Sequence, residues 1–374
     1  MNNDKIIEGL ELVIEGLRGG VGSPIEPPEP TGDEPTVRPG PPVSSLSQIG
    51  HPDSWWNSDV SDAVVYSRSS EILSKLQNSL TADHDYGANG DGGQYWLPKL
   101  DLNMRAEEPY GHTINYISPE IADEVKWVLP SEWTLDGPYD PHGDYLKIPV
   151  HPSFELQNGG DSSDSHFYVY NDEYLWEFYQ LRNYGKPNMT TGLSTRYSLT
   201  EVNAGRGLGC TSSNAAGDVY APLICTPDEI ARGRIDHAIA LTLPNNIPEG
   251  HLFIEPAQHS PLQYDTGGYM PYGSRFRLRS DFNVDAVNNG PARTILTALK
   301  KYGFYHIDGI NGTPLVPCVN DRGYENKWRD IEGMTPFPLW FHEGLPKWTD
   351  FEMLDGVVHS MRDVRCARTQ LDER

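Results

Sequence analysis

Eight prolines fall between Ser23 and Pro42, in SPIEPPEPTGDEPTVRPGPP. Each fixes its own φ and lacks an amide donor, so neither a helix nor an interior strand can run through this stretch. The segment reads as an extended, semi-rigid linker over residues 21–45, and it divides the chain. Upstream, KIIEGLELVIEGLR places Ile6, Leu10, Val13, Ile14 and Leu17 at helical spacing, with Gly19-Gly20 as the stop. That predicts an amphipathic anchoring helix within 1–20, too short to be stable unless it docks to a second copy or to a larger assembly. Downstream, 46–374 is expected to form a single globular domain.

The downstream body is rich in glycine and in aromatic residues, and the chain as a whole carries 36 Gly, 20 Tyr and 9 Trp. Such a mixture suits a mainly β protein, and we expect a β-sandwich, jelly-roll-like, with a few peripheral helices and long loops. Strand-like runs lie at 112–117, 165–171, 174–182, 235–243, 251–257 and 274–282. Helices are expected at 69–80 and after Asn289 or Gly290, where Pro291 opens a helix that Gly303 closes. The run HDYGANGDGG (84–93) reads as a loop, and about 310–356 as an irregular cover over the sheet.

A net charge of −24 argues against nucleic acid and anionic membrane surfaces as partners. No apolar run is long enough to span a membrane, and acids interrupt the N-terminus where a secretory signal needs an apolar core. The four cysteines have neither redox-motif nor zinc spacing. Cys210 and Cys225 are candidates for a loop-closing disulfide, or both are buried small hydrophobes.

One loop stands out chemically. GLGCTSSNAAG (207–217) gathers glycines, hydroxyls, an amide and alanines, a composition poor for a core helix or strand. It suits a site-forming loop, with Thr211, Ser212 and Asn214 as polar contacts, or else a tight turn that needs small residues only for room. A helix start follows: Thr226 as N-cap, Pro227 as first residue and Glu229 closing a capping box. Beyond it, alternation over 235–243 puts His237 among apolar neighbours, either as a satisfied core histidine or on the floor of a concave sheet.

Two further strips offer chemistry. Arg275, Arg277 and Arg279 alternate along 274–282, and such a row of guanidiniums needs acids across it, from the protein or from an anionic ligand. Along 161–170, Asp164, His166, Tyr168 and Tyr170 share a strand face, a set that fits a lyase or hydrolase. A glycosidase would use two carboxyls, for which Asp164 and Glu177 are candidates. A zinc-type site from Asp164, His166, His237 and His259 is a minor alternative, and no cofactor is expected otherwise. A serine nucleophile at Ser212 or Ser213 lacks the G-x-S-x-G elbow.

Across about residues 50–355, the segments WWN, HDYG, DSHFYVYNDEYLWEFYQL, GCTSSNAAGDVYAPLICTPDEIARGRIDHAIALTL, PYGSRFRLRSDF and ARTILTALKKYGFYHIDG resemble a family of uncharacterised, mostly secreted bacterial and fungal proteins. The family carries Asp-Arg-His where this chain has Asp164-Ser165-His166, and Trp where it has Cys210. The resemblance implies export and a shared site more than a reaction. The leading 45 residues fall outside it and look like an added anchor, of the kind a virion would supply.

The readings combine into an expectation of a polysaccharide-active enzyme, a lyase or glycoside hydrolase on an extracellular, anionic glycan. His166 and His237 would be base or acid, with Tyr168 and Asp164 beside them. Arg275 and Arg277 would hold carboxylates, and Thr211, Ser212, Asn214, Glu177 and His259 would contact substrate. The alternative is a non-catalytic structural or glycan-binding protein of a virion or extracellular filament, docked by its N-terminal helix. An enzyme should bring His166, His237, Arg275 and the 209–217 loop into one cleft.

Overall fold

Alternation through FYVYNDEYLWEFY builds a hairpin of β5 (Phe167–Tyr170) and β6 (Tyr174–Tyr179), with Tyr168 opposite Glu177 and Phe167 opposite Phe178. Asn171 shapes the turn, its side-chain oxygen accepting from the amides of Glu173 and Tyr174. β1 (Ile114–Tyr116) adds in parallel to β5, and β8 (Leu193–Ser198) antiparallel to β6, giving a four-stranded sheet ordered β1-β5-β6-β8. One face carries Phe167, Val169, Trp176 and Phe178 into a small core with Leu146, Ile148 and Phe154. The other turns Tyr168, Leu175 and Tyr197 toward the main core. With both faces covered, polar groups on this sheet must find partners inside the protein or in a ligand.

The structure is a computed structural model and describes residues 48–82, 111–135, 143–157, 164–245, 247–261, 268–310, 316–319, 327–333 and 345–374. The expected anchoring helix, the linker, the 84–93 loop and part of the 310–356 cover lie outside the described residues.

A second four-stranded sheet runs β14-β12-β13-β9, from Phe351–Met353, Arg275–Leu278, Phe304–Ile310 and Ile239–Pro244. β10 (Pro248–Ile254), β11 (Met270–Tyr272) and β15 (Val358–Ser360) form a third sheet. Two short ribbons complete the set: β2 (Lys126–Val128) with β4 (Ile148–Val150), and β3 (Glu132–Trp133) with β7 (Thr190–Thr191). The fold is mainly β with few helices, as its composition implies. Parallel pairs occur in the sheets, as between β1 and β5 and between β9 and β13, where a jelly roll pairs its strands antiparallel.

The expected caps form. Asn289 caps the helix Gly290–Lys301, accepting from the Ala292 amide, and Gly303 follows it at φ 78°. Thr226 and Glu229 make a reciprocal capping box for Pro227–Ala231. The disulfide differs from expectation: Cys210 bonds Cys366, near the end of the chain, while Cys225 and Cys318 carry thiols. Spacing along the chain could not reveal that choice, because the tail returns to the loop only through tertiary packing.

Candidate functional site

β1 and β5 begin side by side, and each is preceded by a histidine. His112, two residues before β1, and His166, just before β5, place their ring centres 5.2 Å apart. Tyr168 stacks on His166 at 5.6 Å, and Tyr220 meets His112 edge-on at 4.9 Å. Ser165 takes a left-handed φ of 38° at the entry to β5, so the chain turns sharply where His166 is set. All four rings are buried, yet among the described residues Nδ1 of His112, Nδ1 of His166 and the Tyr168 hydroxyl have no hydrogen-bond partner. Three orphaned polar atoms on touching side chains cost stability that a bound ligand could recover.

Burial drives the His112 imidazole down to about 3 and holds His166 well below its usual range, the latter helped by His112. Both rings are therefore neutral at physiological pH, and a neutral ring offers one lone pair. Two part-exposed carboxyls accompany them. Burial raises Asp164 despite the opposing charge of Arg182. Burial and the neighbouring Asp164 charge push Asp308 up to about 7, against amide donors at Gly309 and Ala215. Asp308 follows a register irregularity between His306 and Asp308 on β13, a break that re-aims a side chain relative to simple alternation.

The 207–217 loop forms the support beneath this cluster. Ser213 Oγ donates to Glu177 at 2.6 Å, and the amides of Tyr220 and Ala221 donate to its other oxygen. Burial still lifts Glu177 to about 7 against those three hydrogen bonds. Ala216 donates its amide to Ile307 on β13, and the Ala215 carbonyl accepts from His259 Nδ1 at 3.0 Å. Gly217, at φ 77°, is required here because a Cβ would lie 2.5 Å from the His259 Cβ. The loop is tied down by Cys210–Cys366 and by Arg206, which donates to the Thr211 carbonyl and pairs with buried Asp144 at 3.2 Å.

The side chains expected to contact substrate from this loop turn inward instead. Ser212 donates to the carbonyl of Asp218, and Asn214 does the same at 2.7 Å, so both brace the turn. Thr211 is buried with them. Glu177 is fully buried below Tyr168, and His259 is buried behind Ala215.

His237 and the arginine strand are occupied elsewhere. His237 directs Nδ1 to the Ala238 carbonyl at 2.7 Å and Nε2 to Glu229 at 3.0 Å. Both acceptors demand N–H, so the ring is an imidazolium with no lone pair for a proton or a metal. Burial opposes that charge, but Glu229 wins and raises the imidazole above its usual range. Arg275 donates to the carbonyls of Tyr302, Trp55 and Ser58. Arg277 pairs with Glu352 at 2.7 Å and caps the carbonyls of Val60 and Ser61. Arg279 pairs with Asp281 at the surface. Of the residues expected to share one cleft, His166 lies over the 209–217 loop with Asp164 and Tyr168, but His237 and Arg275 are bound to protein partners elsewhere, so the cleft expected of the enzyme does not form with those four parts.

Sequence reasoning passed over His112, Tyr220 and Asp308 as site residues. The one available signal was the pattern of a histidine just ahead of a strand, which His112 and His166 share. Among the described residues a groove of about 780 Å³ lies elsewhere, between Pro227–Ala231 and the start of the helix at 290, and does not include the cluster. No described helix is long and apolar enough to cross a membrane. No protein-family model, curated protein or solved structure matches the chain.

Proposed function

We propose that the chain is a polysaccharide-active enzyme, a glycoside hydrolase in which Asp308 donates the proton and Asp164 is its ionised counterpart. The observation that carries this reading is the electrostatic split between two neighbouring carboxyls. Burial and the Asp164 charge raise Asp308 to about 7, whereas Arg182 opposes the rise that burial imposes on Asp164, so Asp308 is the better placed of the two to hold a proton. Acid and base assignments follow from such separation. In the reaction the Asp308 proton passes to the glycosidic oxygen as the C–O bond breaks, while Asp164 supports attack at the anomeric carbon.

The unpartnered groups fit the same substrate class. Sugar hydroxyls both donate and accept, and they would satisfy Nδ1 of His112 and His166 and the Tyr168 hydroxyl together. The Cys210–Cys366 bond suits an oxidising compartment, where extracellular glycans are met. Because Arg275 and Arg277 serve protein carbonyls and Glu352, the reading no longer requires an anionic glycan.

A lyase is the second reading, and the stacked His166–Tyr168 pair favours it, since a neutral imidazole and a phenol are a base and an acid in one place. The test is incubation of the full-length chain with neutral, uronic-acid and sulfated polysaccharides, following reducing ends and the ultraviolet absorbance of unsaturated products. Reducing ends alone are the expected result. Reducing ends with an absorbance rise would establish the lyase. Binding with neither would support a glycan-binding protein, and absence of all three would overturn the reading.

A further inference from the structure

We propose that Cys225 and Cys318 are the site of a second disulfide, closed by exchange with a low-molecular-weight or protein disulfide as the chain folds. Their backbones are register partners in a parallel bridge, the Cys225 amide donating to Pro317 at 3.4 Å and the Val319 amide to the Cys225 carbonyl at 3.1 Å. Neighbouring strands lie about 4.8 Å apart, and paired residues point to the same side. That separation falls inside the Cα window of a disulfide, roughly 4.4–6.8 Å. Both residues are buried, at 2% and 1% exposure, and the Cys318 thiol donates to the Val316 carbonyl at 3.5 Å, a weak contact that a disulfide would replace. The remaining two cysteines of the chain are already joined as Cys210–Cys366, and conditions that close that bond act on these thiols too.

The chemistry balances as thiol–disulfide exchange. The Cys225 thiolate attacks the carrier disulfide, forming a mixed disulfide and expelling one carrier thiolate. The Cys318 thiolate then attacks the sulfur of Cys225 and expels the second. The protein gives up two electrons and two protons, and the carrier leaves as two thiols. Exchange takes place before the core closes, while both sulfurs are still accessible.

The bond would bear on the cluster described above. The His112 amide donates to the Cys318 carbonyl at 2.9 Å, and His112 is itself the bridge partner of Val319. A 225–318 bond would fix the short segment that seats His112. This consequence rests on the proposed function, whereas the bond itself does not.

The test is to refold the reduced, denatured full-length chain in a glutathione redox buffer, alkylate it under denaturing conditions, and map its disulfides by mass spectrometry. The expected result is no alkylated cysteine and a peptide joining Cys225 to Cys318 beside the one joining Cys210 to Cys366. Two alkylated residues, Cys225 and Cys318, or either one bonded to a different cysteine, would overturn the proposal. Should refolding yield too little protein, the same mapping on chain secreted into an oxidising compartment gives the same two readings. In mapped protein Cys225→Ala should leave exactly one alkylated thiol at Cys318 with Cys210–Cys366 unchanged.

Discussion

His166 and His237 are both buried imidazoles, each next to a strand of a four-stranded sheet, and their surroundings are opposite. His237 has a carboxylate on one ring nitrogen and a carbonyl on the other, and burial is outweighed by Glu229. His166 has aromatic rings around it and an Nδ1 without a partner among the described residues, and burial together with the neighbouring His112 lowers it. The same contrast separates the arginines of β12 from the carboxyls beside His166: Arg277 is bound on every side, while Asp164 and Asp308 are part-exposed and shifted. Satisfied polar groups hold a fold together, and unsatisfied ones on adjacent side chains indicate where something else is meant to bind.

The largest expected effect would come from Asp308→Asn. Loss of a general acid should lower turnover by about 10²–10⁴-fold. Its melting temperature should stay close to the wild type, because Asn keeps a carbonyl oxygen to accept from the Gly309 amide. On the other side of the comparison, His237→Ala removes the imidazolium paired with buried Glu229, leaving it Thr226 and the more distant Arg232, and chemical denaturation should show a loss of about 3 kcal/mol. Arg277→Ala is the intermediate case. It frees the carbonyls of Val60 and Ser61 and should cost about 1–3 kcal/mol, with kcat unchanged once the protein is folded. Ser213→Ala should be the mildest, about 1 kcal/mol in stability, with Glu177 rising further because it loses one of its three donors. A variant that moved turnover on the Arg277 side, or stability alone on the Asp308 side, would break the distinction.

The parts of this arrangement that sequence could convey are local. The capping box at Thr226 and Glu229 and the Asn289 cap depend on residues three apart, and both form as expected. The 207–217 loop was legible as special because its small and hydroxyl-bearing residues suit no regular element, and it does lie under the candidate site. What escaped was long-range. Arg277 looked available because Val60 is 217 residues away. Glu229 showed its capping role, but its contact with His237 depends on the chain folding back after Gly233. Asp308 was hidden by the irregular register of β13, which defeats an argument from alternation. The cysteine partner of Cys210 lay 156 residues downstream.

The two histidine environments also carry opposite pH signatures. His237 is raised, so its stabilisation is complete below about pH 6.5, the unfolded value, and is lost as pH rises through its folded one. His112 and His166 are lowered, so the folded state resists protonation there and loses stability as pH falls below 6.5 toward the value of about 3 held by His112. The most direct test is ¹⁵N nuclear magnetic resonance of the imidazole nitrogens in the full-length chain near pH 6, assigned with His112→Gln, His166→Gln and His237→Gln. The account predicts His237 as imidazolium, with His112 and His166 neutral and each retaining one nitrogen lone pair. A neutral His237, or protonated rings at His112 and His166, would contradict it.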